Sequence, residues 1–115
     1  MPQEFWSRLD ELLAAHELVL DRPRGTAHPR YPDLVFPLDY GYLAGTAGGD
    51  GDGIDVWHGS AGHSDLVAIV CTVDMNKHDA EYKLVIGATE ADLRTIEAFH
   101  NGRYQSAILV RRPPA

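Results

Sequence analysis

Phe5, Trp6, Leu9, Leu12, Leu13 and His16 recur at helical spacing, with Glu4, Arg8, Asp10 and Glu11 on other faces, which predicts an amphipathic helix over residues 3–16. The pattern then shortens. ELVLDRP reads as an extended run closed by Pro23 and Gly25, and the prolines of HPRYPD push the residues before them away from helix. IDVWHG, SDLVAIVCTVDM and EYKLVIGA read as strands, the middle one nearly all apolar and therefore covered on both sides. From Thr89 the helical period returns. Leu93, Ile96 and Phe99 share a face, Thr89 and Asp92 stand at capping-box spacing, and Gly102 marks the end. YQSAILVRR alternates as a last strand before Pro113 and Pro114.

Between LVFPLDYGYL and IDVWHG lies AGTAGGDGDG, which with Gly41 gathers six of the eleven glycines and so reads as a loop of unusual dihedrals. Short strands outnumber helices, and their turns are rich in glycine. The economical architecture is α+β: a small antiparallel barrel or curled sheet with two helices packed outside. At 115 residues this is a single domain, 1–115.

Composition narrows the functional classes. LVAIVC, the longest apolar run, is too short to span a bilayer, and MPQEFW has no export signature, so no membrane association is expected. Cys71 has no partner within the chain, which points to a reducing cytoplasm. A net charge of −7 argues against nucleic acid as the main ligand. It leaves room for a small phosphate compound, because a divalent cation can reverse the sign of an acidic pocket.

Three stretches carry candidate chemistry. In GGDGDGIDVW, glycines between Asp50, Asp52 and Asp55 free the backbone to turn, so the three carboxylates can converge on a hard cation such as Mg²⁺. Asp-Gly pairs are also common hairpin punctuation, and the loop by itself admits either reading. An EF-hand is excluded, since its third ligand would fall on Ile54 and its closing glutamate on Ala61. In DAEYKL, residues Asp79, Glu81 and Lys83 alternate and share one face of a strand, as further ligands with a phosphate-binding ammonium or as a plain charge arrangement. In DRPRGTAHPRY, Arg22, Arg24, His28 and Arg30 are concentrated in an otherwise acidic chain, with Arg24 or Arg30 suited to grip an anion. No Cys or His pair has dependable zinc-ligand spacing.

The stretch FPLDYGYLAGTAGGDGDGIDVW resembles the signature of the soluble, Mg²⁺-dependent family I inorganic pyrophosphatases, in which an aromatic-Pro-x-x-Tyr-Gly-Tyr segment precedes Asp-Gly-Asp-Pro-x-Asp. VLDRPRG, PRY and DAEYKL resemble further elements of that family, so the similarity runs from Val19 to Lys83 and weakly to the helix around Phe99. The resemblance implies a five-stranded, OB-like barrel with flanking helices and a Mg²⁺-dependent hydrolysis of pyrophosphate or a related phosphoanhydride. It implies Asp50 and Asp55 as metal ligands, Glu81 in place of a late aspartate, Asp79 beside it and Asp21 at the rim. Asp52 would serve as the base, and Lys83, Arg30 and Tyr40 would face phosphate. The family commonly assembles, which leaves a homo-oligomer open.

The departures fall on the phosphate side. Phe36 replaces a tyrosine that touches phosphate, Pro32 replaces a glutamate, Gly53 replaces the loop proline, and NGRY stands where a Tyr-Lys pair belongs. Only four residues separate Tyr31 from Phe36, so the hairpin bearing the family's phosphate-binding arginine has no counterpart. These losses predict a slow pyrophosphatase or a different substrate, with His28 and Arg24 as substitute contacts. The alternative is a catalytically weak module that binds Mg²⁺ and a phosphorylated metabolite.

Overall fold

A computed structural model describes residues 3–48, 51–102 and 104–115. In chain order the elements are α1 (Gln3–Ala15), β1 (Leu18–Arg22), β2 (Asp39–Leu43), β3 (Ile54–His58), β4 (Leu66–Asp74), β5 (Asp79–Ile86), α2 (Glu90–Phe99) and β6 (Gln105–Arg111). All the strands join one sheet in the order β1-β2-β3-β5-β4-β6. Neighbours are antiparallel except β3 and β5, which run parallel with Val56 opposite Leu84 and Trp57 opposite Val85. The sheet is therefore six-stranded, mixed and open, with β1 and β6 at its ends, where five antiparallel strands in a closed barrel were expected. The added strand is β2, whose DYGYL sequence hides its pairing behind a central glycine.

Alternation along the strands divides the core between two faces. Leu43, Ile54, Val56, Leu84 and Ile86 pack with Trp6 and Leu9 of α1 on one side. Trp57, Ala68, Val70 and Val85 pack with Leu93 and Ile96 of α2, and with Phe36, on the other. Burying Trp6 and Leu9, 1% and 3% exposed, stabilises the docking of α1 by about 1.5–3 kcal/mol per side chain. The Arg112 guanidinium adds a two-pronged bond to Asp10, at 2.9 and 2.8 Å. His16 donates from Nδ1 to the Ala44 carbonyl at 3.0 Å. For α2 the expected capping box is present: Asp92 N–H donates to Thr89 Oγ1 and Thr89 N–H donates to the Asp92 carboxylate. No helix among the described residues is long and apolar enough to cross a membrane.

Gly41 sits where two strands crowd. A Cβ built there would lie 1.8 Å from the Val19 carbonyl oxygen, so no other residue fits without moving β1. Opposite it the register between β1 and β2 slips between Val19 and Arg22. Such a bulge re-aims side chains, and here the adjacent residues Asp21 and Arg22 both reach the same cavity instead of opposite faces.

Candidate functional site

That cavity, about 720 Å³, opens on the α2 side of the sheet. Its wall begins with β3 and β5. Asp55 precedes Val56 and Lys83 precedes Leu84 in the parallel register, so the two side chains leave the same face side by side. Glu81, two residues before Lys83, shares that face, as the alternation predicts. The Lys83 Nζ donates to Asp55 Oδ2 at 2.9 Å and makes a short bond to Glu81 Oε1. Lys83 is 5% exposed and Glu81 is 9% exposed, whereas Asp55, at 23%, opens towards the cavity. Burial works against the ammonium, but the Asp55 and Glu81 carboxylates more than offset it and hold the Lys83 pKa above its ordinary value. The lysine stays charged. Two carboxylates around one ammonium leave a residual negative charge where Asp21 and Asp52 also line the wall.

An aromatic floor lies beneath. Tyr40 meets Trp57 edge-on at 4.7 Å, and Phe36 packs against Tyr40, Trp57 and Phe99 at 5.1, 5.8 and 5.2 Å. Lys83 Nζ stands 5.7 Å from the centre of the Tyr40 ring. Burial raises the Tyr40 pKa despite that ammonium, so its hydroxyl keeps its proton. Phe36, 2% exposed, is a core residue here, with the Arg22 guanidinium over its ring at 5.6 Å.

Residues 25–36 fold into a short hairpin above the floor, tied by the bridge between Ala27 and Val35 and by His28 N–H donating to the Leu34 carbonyl. His28 Nδ1 accepts from the N–H groups of Arg30 and Tyr31 at 3.1 and 3.2 Å. The ring proton therefore belongs on Nε2. Burial first, then the charges of Arg22, Lys77 and Arg30, lower the His28 pKa, which keeps the ring neutral within a cluster of cations. The cavity thus has an acidic wall and a basic roof.

Behind the floor a buried chain of bonds fixes His100. Trp57 Nε1 donates to His100 Nε2 at 2.9 Å, so the imidazole proton sits on Nδ1 and is donated to Gln105 Oε1 at 2.8 Å. Burial lowers the His100 pKa to about 4.

In the acidic loop the backbone turns at Gly51, whose φ of +89° suits glycine, and Gly51 N–H donates to the Gly48 carbonyl at 3.0 Å. Thr46 Oγ1 accepts from Ile54 N–H at 2.9 Å and donates to the Leu43 carbonyl at 2.8 Å, pinning the loop's two ends. Gly53, expected to share in the turn, is absent from the positive-φ glycines and packs tightly on Tyr42 instead.

Of the residues singled out in the sequence, Asp21, Asp52, Asp55, Glu81, Arg30, Lys83, Tyr40 and His28 line this one cavity. Asp50 lies outside the described residues. Asp79 does not line the cavity and faces Lys77 at 3.8 Å from the β4–β5 turn. Arg24 is also outside it, and its backbone N–H donates to the Asp39 carboxylate at 2.9 Å. Arg22, Lys77, His100 and Gln105 line the cavity without having been singled out as ligand contacts. Arg22 was within reach as part of the basic segment, but the bulge that turns it inward leaves no mark in the sequence.

Among the described residues no three His, Cys, Asp or Glu side chains stand together closely enough to hold a metal unaided. The donor set still suits magnesium. Asp55 and Glu81 both direct oxygens at one cationic point, and Mg²⁺ is commonly held by one or two carboxylates with waters and substrate phosphates completing its shell. No family model matches the chain, and neither curated proteins nor solved structures gave a match.

Proposed function

We propose that the chain is a Mg²⁺-dependent hydrolase of inorganic pyrophosphate or a related phosphoanhydride, a compact and divergent relative of the family I pyrophosphatases. The observation that carries this reading is the pair Asp55 and Glu81 around Lys83, set in a cavity whose other side presents Arg22, Arg30 and Lys77. In this reading the open six-stranded sheet is the counterpart of the family's five-stranded, OB-like barrel. The reading also keeps the protein in a reducing cytoplasm, where Cys71 needs no partner.

Magnesium would be held by Asp55 and Glu81, with Asp21 near, and when bound it lowers the pKa of a water and offsets phosphate charge. Asp52 takes the proton of the attacking water as its oxygen bonds to phosphorus and the bridging P–O bond breaks. The bridging oxygen leaves with the second phosphate. Lys83, Arg22 and Arg30 hold the phosphoryl oxygens and stabilise their charge through the transfer. His28, neutral and protonated on Nε2, donates a hydrogen bond without adding charge.

Phosphate release from pyrophosphate with Mg²⁺, followed colorimetrically, tests this directly. Release that requires Mg²⁺ and disappears in Asp55→Asn supports the reading. One observation favours a second: Lys83 already satisfies both carboxylates, as it would in a module that binds a phosphorylated metabolite without turning it over. No release above buffer, with Mg²⁺-dependent binding of methylenediphosphonate, selects that alternative.

A further inference from the structure

The cavity is far larger than pyrophosphate needs. At about 720 Å³ it falls among pockets of roughly 300–1,000 Å³ that enclose a drug-sized ligand. Its length follows from the strand register. Lys83 pairs with Val70, and Asp74, which also lines the cavity, lies four residues further along β4, a span of roughly 13 Å. Asp55, Glu81 and Lys83, with Arg22, account for one end.

The other end has a different chemistry. Tyr31 and Tyr104 line it, with Leu34, and Tyr104 and Leu34 keep 53% and 43% of their surface exposed. Tyr31 is held there by Asn76 Nδ2, which donates to its hydroxyl at 3.1 Å from the β4–β5 turn. Gln105 and Asp74, paired across β4 and β6, line the same end. The His100 proton occupies Gln105 Oε1, which orients the carboxamide and turns Nε2 towards Asp74 Oδ2 at a long 3.4 Å. Asp74 Oδ1 is already taken by the N–H groups of Asn76 and Lys77. A donor, Gln105 Nε2, therefore stands beside an acceptor, Asp74 Oδ2, with neither committed to a short bond. A base edge that pairs a ring nitrogen with an exocyclic amino group complements that arrangement, the ring nitrogen accepting from Gln105 Nε2 and the amino group donating to Asp74 Oδ2. The exposed ring of Tyr104 nearby suits stacking on a planar base.

We infer that the substrate is a nucleoside phosphoanhydride, its phosphates between Lys83 and Arg30 and its base at the Tyr31, Tyr104 and Gln105 end. The inference rests on the phosphoanhydride reading above and deepens it. A prenyl diphosphate would use the apolar surface of Leu34 and Tyr104 but make no use of the polar edges of Gln105 and Asp74.

Calorimetry with Mg²⁺ tests this with three non-hydrolysable probes: methylenediphosphonate, adenosine 5′-(α,β-methylene)diphosphate and the geranyl ester of methylenediphosphonate. The adenosine probe is expected to bind at least about tenfold more tightly than methylenediphosphonate, with that ratio falling towards one in Tyr104→Ala and in Leu34→Ala. Equal affinity of those two probes, or a ratio untouched by both substitutions, overturns the nucleoside assignment and leaves the hydrolase reading standing. Tightest binding of the geranyl probe overturns it in favour of a lipid diphosphate. Binding of none of the three, together with no phosphate release from pyrophosphate, overturns both.

Discussion

Lys83 reaches across a parallel strand pair to donate to Asp55 at 2.9 Å, and it does so while 5% exposed. A lysine that buried keeps its charge because Asp55 and Glu81 surround it, and the carboxylates tolerate each other because it lies between them. Replacing it removes the counter-charge and leaves two acids facing each other. Lys83→Met is expected to destabilise the fold by about 3–5 kcal/mol in urea denaturation. Added Mg²⁺ should restore more stability to this variant than it adds to the native chain, since a divalent cation can stand in for the ammonium. The absence of any Mg²⁺ response in both proteins would contradict the cation site.

The carboxylates that line the cavity and those that do not should separate by activity. Asp52→Asn is expected to lower kcat by about 10²-fold or more, the size of effect that losing a general base produces. Glu81→Gln should instead raise the Mg²⁺ concentration needed for half-maximal rate. Asp79→Asn and Arg24→Ala, outside the cavity, should change the rate by no more than about twofold. Steady-state kinetics across a Mg²⁺ titration reads all four.

His100 predicts an acid-sensitive component of stability. Its pKa falls from the ordinary value of about 6.5 to about 4 on folding, because the buried ring is held neutral. Between those values the unfolded chain binds a proton that the folded chain refuses. The stabilisation is therefore complete above about pH 6.5 and is lost progressively as the pH falls to about 4, by roughly 3 kcal/mol in all. Urea midpoints compared at pH 7 and pH 4.5 should converge between the native chain and His100→Gln as the pH falls. Nitrogen-15 NMR should find the proton on Nδ1.

Gly41→Ala tests the bulge. A methyl group 1.8 Å from the Val19 oxygen cannot be accommodated, and a cost of about 1–3 kcal/mol or more is expected as β1 lifts from β2. Amide exchange should quicken along Leu18–Arg22 ahead of the rest of the sheet. Because Asp21 and Arg22 move with that strand, activity should fall further than stability alone accounts for.

Much of this architecture could be read from local pattern. The period of Trp6, Leu9 and Leu13 gave α1, Thr89 and Asp92 gave the start of α2, and alternation put Glu81 and Lys83 on one face. These are interactions between residues a few positions apart. What escaped depends on distant neighbours. The strand at Asp39–Leu43 was hidden because Gly41 is an apparent breaker until Val19 is seen against it. Asp79 kept its strand position at the start of β5 but faces Lys77 rather than joining Glu81 in the cavity. No hairpin was expected between Tyr31 and Phe36, yet residues 25–36 form one that carries Arg30 and His28, tied by the bridge between Ala27 and Val35. The aromatic floor beneath Lys83, and the bonds that join Trp57 to His100 and Gln105, come from three separate elements brought together only by the fold.

The parallel contact between β3 and β5 also governs when the site can exist. Asp55 and Lys83 are 28 positions apart, and β5 reaches its place beside β3 only after β4 has reversed the chain direction. Pairing of that kind is non-local and forms late, when enough of the sheet has assembled to repay the entropy of closing so long a loop. A nascent chain ending at residue 78 would carry the whole acidic loop without Lys83, the ammonium that pairs with Asp55. Ligand recognition should therefore appear all at once with completed folding, and binding should serve as a strict reporter of global integrity.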